Sequence, residues 1–261
     1  MSSDTGQTCV ILGHSTKKIL HRKLYSDNEL YSRVADKYRA RSYVAERVGE
    51  DILTELYHVT DDPGTIPFGE LPDQFVIKAT HGWGWNILVP EKDDSDFEEI
   101  RSQCQDWLQQ EFGHRTNEYW YLDITPRILV EEFIHDDTRS VPLDFKFFVF
   151  DGEVEMIEVD VDRFTGHKQR FYTPRWDPID VKRGKPLAED IVRPPQLTEM
   201  VSIAETLGEE FNFVRVDLCN PVDGRIVFGE VTVAPGAGYI GFIPVKYDFE
   251  LGSHWPDNLN S

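Results

Sequence analysis

The chain has 261 residues and carries 27 basic against 47 acidic side chains, a formal net charge of −20 at pH 7. Hydrophobic residues make up 40% and aromatics 12%, enough to build a packed core and to exclude wholesale disorder. So acidic a surface repels phosphate backbones and anionic lipid: no nucleic acid partner and no membrane insertion is expected, and an anionic ligand needs a local cluster of cations and backbone amides.

In the first 60 residues Leu30, Val34 and Tyr38 recur four apart, as do Val44 and Val48, a helical texture. Phe75 to Ala79 is a short apolar run that predicts a buried strand containing Lys78, followed by the glycine loop His81-Gly82-Trp83-Gly84-Trp85 and a second strand, Asn86 to Val89. Ser95-Asp96-Phe97-Glu98 has capping-box spacing and opens a helix expected to reach about Phe112. From Arg127 the texture turns to strands. Arg127 to Ile134 is one, and Phe145 to Phe150 with Glu153 to Val161 flank Asp151-Gly152, a pair that favours a type I′ hairpin turn. Leu197, Met200, Val201, Ala204, Leu207 and Phe211 mark one helical face. A second Asp-Gly hairpin, around Asp223-Gly224, joins Val214 to Leu218 with Arg225 to Val233. The order predicts an α+β fold in two lobes and lacks the regular βαβ alternation of a doubly wound sheet. Cys9, Cys104 and Cys219 are odd in number and scattered, which fits a reducing, cytoplasmic setting better than a disulfide framework.

The second hairpin carries the most chemistry. A two-residue turn at Asp223-Gly224 pairs Val222 with Arg225, Asp217 with Glu230 and Arg215 with Thr232, and strand alternation projects the last four from one face. Val214, Val216, Leu218, Val231 and Val233 fall on the other, a core face. Directly opposed carboxylates repel, so the pair needs a cation between them, a raised pKa or full exposure to water. Hard carboxylate oxygens beside a threonine hydroxyl suit Mg²⁺, which takes one or two carboxylates plus substrate phosphates; a solvated acidic face is the plain alternative. The loop Gly82-x-Gly84 after Lys78 offers backbone amides and a point charge to an anion, although the glycine pair taken alone reads first as an ordinary strand-connecting turn.

Taken in order, Asp36-Lys37-Tyr38 with Arg41, Phe75-Val-Ile-Lys78, His81-Gly82-Trp83-Gly84, Val130-Glu131-Glu132-Phe133-Ile134, Asp144-Phe-Lys146, Arg215-Val-Asp217 and Gly229-Glu230-Val-Thr232-Val-Ala-Pro235-Gly236 resemble an ATP-grasp protein, specifically the TupA-like family associated with surface-polysaccharide biosynthesis. The resemblance implies an N-terminal extension, 1–29, and an ATP-grasp domain, 30–261, with lobes at about 30–134 and 135–261 holding ATP between them. It implies ATP contacts from Lys37, Lys78, His81, Gly82, Trp83, Gly84, Glu131, Glu132, Phe133, Ile134 and Asp144. The first two and the glycine loop would take the phosphates, the strand 130–134 the adenine, and Asp144 the ribose. Lys146, Arg163 and Arg215 would hold the γ-phosphate and an acyl phosphate, and Asp217, Glu230 and Thr232 the magnesium ions. Trp83 stands where the family pattern more often has a small residue. The implied activity is ATP-dependent carboxylate–amine ligation, with phosphotransfer or nucleotide binding without turnover as alternatives on the same fold. Substrates would be small-molecule or glycopolymer carboxylates and amines, and homo-oligomer formation is left open. The segment from Thr165 to Pro195, with Lys168, Arg170, Arg175, Lys182 and Arg183, reads either as a wall of the acceptor site or as a solvated loop.

Overall fold

A computed structural model describes residues 13–135, 142–163, 166–221 and 223–255. The chain divides into two compact units, one made of residues 29–135 and the other of 1–28 together with 136–261. In chain order the elements are α1 (Ser15–Tyr25), α2 (Glu29–Ala35), α3 (Arg39–Val48), β1 (Leu56–Thr60), β2 (Phe75–Ala79), β3 (Asn86–Val89), α4 (Phe97–Leu108), β4 (Ile128–Glu132), β5 (Asp144–Phe150), β6 (Glu153–Val161), β7 (Lys168–Tyr172), β8 (Pro178–Ile179), α5 (Leu197–Gly208), β9 (Phe213–Cys219), β10 (Val227–Thr232) and α6 (Lys246–His254). The mixture of helices with two antiparallel sheets is the expected α+β class.

The 29–135 unit is built on a four-stranded sheet in the order β1-β4-β2-β3. Its core face alternates as the pleat requires: Phe75, Ile77 and Ala79 from β2 and Ile128 and Val130 from β4 pack against Ile100, Cys104 and Trp107 of α4. The sequence pattern of α4 explains this face, since the three buried residues lie three to four apart. Its cap is Asp96, whose carboxylate accepts from the amides of Glu98 and Glu99, rather than Ser95, and the helix ends at Leu108 instead of Phe112. Strand β1 lies inside the stretch that reads as helical. It pairs with β4 through a bulge between Leu56 and His58, and all five of its residues are only half-buried, so no clean alternation announced it.

The other unit is built on a six-stranded sheet, β10-β9-β5-β6-β7-β8. Asp151 and Gly152 both have positive φ (49° and 82°), as a type I′ turn between β5 and β6 requires. One face of the sheet is apolar: Phe145, Phe147, Val149, Ile157, Val159, Val214, Val216, Leu218 and Val231 are all buried. Helix α5 covers it with Leu197, Met200, Ala204 and Leu207. The helix stops at Gly208, where an added Cβ would lie 2.5 Å from Val149 Cγ1, instead of running on to Phe211.

The segment before residue 30 contributes α1 to this sheet unit. Arg22, 1% exposed, donates to the carbonyls of Phe213 (2.8 Å) and Val233 (2.9 Å) and lies 4.3 Å from the Trp255 ring centroid. Asp248 of α6 accepts from the Thr16 amide (3.0 Å) and the hydroxyls of Ser15 (2.5 Å) and Thr16 (2.6 Å), closing the start of α1. No described helix is long and apolar enough to cross a membrane.

Candidate functional site

In the 29–135 unit, Asp36 accepts from the amides of Tyr38 and Arg39, which caps the turn entering α3 and presents Lys37. Lys37 Nζ donates to the Gly82 carbonyl, tying that turn to the glycine loop. Gly82 is obligatory for the loop's own packing: a Cβ there would sit 2.4 Å from Trp85 Cε3. Gly84 takes φ +78°, and Trp83 is 72% exposed at the loop's tip. His81 is buried with Nε2 3.0 Å from the Trp107 carbonyl, and burial lowers its pKa below the ordinary imidazole value, so it anchors the loop as a neutral ring.

Lys78 points to the face of the sheet opposite the apolar core and pairs with Glu131. Thr54 donates to the same carboxylate at 3.0 Å, and Arg41 stands 3.7 Å away. Burial pushes Glu131 up, but Lys78, Thr54 and Arg41 together hold it below the usual carboxylate range. The sign of the resulting pH dependence follows directly. Below the unfolded carboxyl's 4.5 the unfolded chain takes up a proton that folded Glu131 refuses, so this contribution to stability is present above that value and is lost as pH falls through the folded pKa. Urea titrations between pH 6 and 3 are expected to show a shallower acid limb for Glu131→Gln than for the wild type; parallel limbs would remove Glu131 from the coupling.

The carboxylate of Glu131 is thus committed to Lys78, and the residues that follow it carry the open end of β4. Glu132 N donates to the Glu55 carbonyl at 2.9 Å, and Phe133 and Ile134 are half-buried. A concavity of about 650 Å³ opens beside Glu132 and Phe133, lined also by Tyr57, Asp73, Glu91 and Lys92. Its acids outnumber its one lysine, which suits a polyphosphate poorly.

The sheet unit holds the larger constellation. Strand registers align Glu230 with Asp217, Thr232 with Arg215, Asp217 and Glu158 with Lys146, Asp160 with Asp144, and Gln169 with Asp160. These residues form a polar band across β10, β9, β5, β6 and β7, on the face opposite α5. Lys146 is its centre. It pairs with Asp144 and reaches Asp217 at 3.0 Å and Asp160 at 3.4 Å, while Arg163 Nη1 meets Asp144 at 2.7 Å. Arg215 grips Asp217 through two nitrogens (2.6 and 2.7 Å) and extends the second to Glu230 (2.8 Å) and the Thr232 hydroxyl (3.1 Å). Burial disfavours the charged forms of Lys146 and Arg215, but the surrounding carboxylates dominate and raise both pKa values. Burial pushes Asp217 up to about 6, which leaves it ionised at neutral pH.

The opposed acids at 217 and 230 therefore do have a cation between them, and it is Arg215. Their pairing arises differently from the two-residue turn expected. Strand β9 ends at Cys219 and β10 begins at Val227, so residues 220–226 connect them, and Val222, expected opposite Arg225, lies outside the described residues. A bulge at Gly229 then shifts the register by one and restores Asp217 to Glu230. A Cβ on Gly229 would lie 3.0 Å from the Asp217 carbonyl oxygen, so any larger residue would crowd the facing strand.

Of the segment 165–195, residues 166–195 are described, and they are more than a solvated loop. They form β7 and β8, with Arg170 paired to Asp190 (2.7 Å) and Asp180 (3.2 Å) and Arg183 buried 3.5 Å from Glu158. Local pattern does not single out Glu158, Asp160, His167 and Gln169 as members of this band. The alternation Glu158-Val-Asp160 opposite Asp144-Phe-Lys146 was the signal that could have placed the two acids. Cys104 and Cys219 are free thiols, both pushed up to about 12 by burial; Cys9 lies outside the described residues.

A family profile described as TupA-like ATPgrasp matches residues 17–255. No curated protein matches in sequence. Among solved structures, the ADP complex of N5-carboxyaminoimidazole ribonucleotide synthetase is similar at a TM-score of 0.51 and 12% identity, over 78% of this chain and 46% of that one. D-alanine–D-alanine ligase from Bacillus anthracis is similar at a TM-score of 0.51 and 15% identity, over 85% of this chain and 67% of the other. The chain thus spans under half the length of the synthetase. At these identities the likeness shows a shared ATP-grasp fold.

Proposed function

This chain belongs to the TupA-like ATP-grasp family, and on that premise we propose that it is an ATP-dependent ligase joining a carboxylate to an amine, with ADP and phosphate as products, in cell-surface glycopolymer or peptide-like metabolite synthesis. The observation that supports this most directly is the polar band, in which three cations and the acids that hold them share one sheet face. An acidic protein handling two anionic substrates needs cations placed at the reacting phosphate, and a divalent cation would offset the acids that outnumber them here, because positioning and charge neutralisation dominate phosphoryl transfer.

Within this reading, Lys37 and Lys78 contact phosphate oxygens and the loop Gly82 to Gly84 covers them. Glu132, Phe133 and Ile134 border the adenine; Glu131 serves by fixing Lys78. Asp144 takes the ribose hydroxyls and steadies Lys146 and Arg163. Lys146, Arg163 and Arg215 hold the transferred phosphoryl group. The donor chemistry of Asp217, Glu230 and Thr232 fits Mg²⁺ that completes its shell with phosphate oxygens, since two carboxylates and a hydroxyl are hard oxygen donors. Among the described residues no group of three or more acids, histidines or cysteines forms an all-protein metal cage. When bound, the ion neutralises phosphate charge.

The substrate carboxylate attacks the γ-phosphorus, the bond to the β-phosphate oxygen breaks, and ADP departs. The amine then forms the C–N bond at the acyl carbon as the C–O bond to phosphate breaks. The chemistry takes place in the ATP-containing, reducing cytoplasm. Its test is an ADP-release screen with Mg²⁺ that crosses D-glucuronate, D-galacturonate and L-glutamate with glycine, L-alanine, L-lysine and L-glutamate. ADP release that requires both partners is the expected result. A stable phosphorylated acid formed without amine would instead indicate a phosphotransferase, and saturable ATP binding without ADP release a nucleotide-binding module.

A further inference from the structure

Beyond Lys146, the polar band ends in a pair of groups with no part in phosphate or metal binding. His167 Nε2 lies 2.8 Å from Asp160 Oδ1. Asp160 is buried (its side chain 4% exposed) and is held from its other side by Lys146 at 3.4 Å, whereas the His167 side chain remains 23% exposed. That approach lacks hydrogen-bond geometry, so it seats the ring against the carboxylate, and in either tautomer the neutral imidazole keeps one nitrogen lone pair. Burial pushes Asp160 up, but Lys146, His167 and Gln169 outweigh it and hold the carboxyl below its ordinary range, so a charged carboxylate stands beside the ring.

The order of groups across the sheet gives the pair a direction. Glu230 and Thr232 stand at one margin, Arg215, Asp217, Asp144 and Lys146 in the middle, and Asp160 with His167 at the other. Substrate phosphate assigned to the middle cations is flanked on the β7 side by an imidazole with a free lone pair. Resting on the ligase reading above, we propose that His167 is the proton acceptor for the amine, with Asp160 as its positioning residue. As the amine nitrogen bonds to the acyl carbon and the C–O bond to phosphate breaks, the ring nitrogen that carries no hydrogen takes the proton the amine sheds. The imidazolium then returns it to the departing phosphate or to water. The charged and titratable groups around the pair are Asp144 and Lys146 from β5, Glu158 from β6, Arg163 from the turn after it, and Arg183 against Glu158.

Hydroxylamine separates this role from structural support, because it is largely unprotonated at neutral pH and captures an acyl phosphate without help from a base. The measurement is the ratio of amide formed with the most active amine of the screen to hydroxamate formed with hydroxylamine, using the same carboxylate. In His167→Ala that ratio is expected to fall about 10²–10⁴-fold, the usual contribution of a positioned acid or base. Added imidazole should restore part of it, and the amide rate should rise with pH where the wild type is flat. His167→Gln, which keeps a polar side chain beside Asp160 but has no basic nitrogen, is expected to match the alanine variant. An unchanged ratio in both variants overturns the role of His167 while leaving the ligase reading intact. A wild type that makes no hydroxamate from any of the three acids overturns the ligase reading, and the proton-accepting role with it.

Discussion

Replacing Arg215 with methionine is expected to destabilise the protein by about 3–5 kcal/mol, because it strands a buried carboxylate beside its neighbour. Asp217 loses both short contacts and faces Glu230 across β9 and β10 with Lys146 as its remaining cation partner. The size of the effect comes from burial: the Asp217 side chain is 5% and the Arg215 side chain 10% exposed, so water cannot take over the solvation of the orphaned charge. The companion variant Arg215→Met/Asp217→Asn removes both charges together. It should recover much of the loss, since replacing a whole buried pair is often close to neutral. Urea midpoints for the wild type and these two variants check the prediction. Equal destabilisation by the single and double variants would mean that packing of the guanidinium, rather than charge pairing, holds β9 to β10.

Glu230→Gln is expected to behave in the opposite manner. Its side chain is 40% exposed, and Arg215 retains two contacts to Asp217 without it. Stability should therefore change by no more than about 1 kcal/mol, as for exposed ion pairs. Turnover in the ADP-release assay is expected to fall about 10²–10³-fold, comparable to removing one charge-stabilising group from a reaction centre. Raised Mg²⁺ should recover part of that loss if the residue supplies a metal oxygen. A large drop in urea midpoint, or unchanged turnover, would reduce Glu230 to a structural partner of Arg215. Together the two substitutions distinguish a residue that maintains the network from one that works through it.

Most of this site was legible from local pattern. Alternation along Val214 to Leu218 and Gly229 to Val233 separates charged from apolar residues, and a pleated strand has no other way to satisfy both. The sidedness of Arg215, Asp217, Glu230 and Thr232 therefore follows from sequence alone. The register did not follow for the reason given. The Asp-Gly pair suggested a tight turn, whereas a longer connection and the Gly229 bulge produce the same partners at the charged end. Bulges depend on close approach to the neighbouring strand, here to the Asp217 carbonyl, and no local propensity reports that distance.

What remained illegible is what the chain assembles over long separations. Glu131 reads as one of two acids on a strand. Its commitment to Lys78, Thr54 and Arg41 appears only when β2, β4 and the segment after α3 are brought together. The half-buried β1 lacks alternation because both of its faces are partly covered, so nothing in its five residues distinguishes it from a loop. His167 sits in a segment whose basic composition reads as solvated, and the acid that gives it meaning is on the preceding strand.

The helix formed by Ser15 to Tyr25 imposes an order of events on biosynthesis. It is made before either sheet, yet the carbonyls that receive Arg22 belong to Phe213 and Val233, and the acid that closes its first turn is Asp248. While the ribosome adds the intervening two hundred or so residues, the four-stranded unit can complete itself, since its segment is contiguous and emerges early. The six-stranded sheet cannot seat this helix until Asp248 is exposed, a closure across a separation of 232 residues that is intrinsically slow. The nascent protein thus passes through a stage with one half finished and the other awaiting its clasp. The trigger for closing this unit is the arrival of α6, and a ribosome stalled short of Asp248 would leave an amphipathic segment in search of a partner.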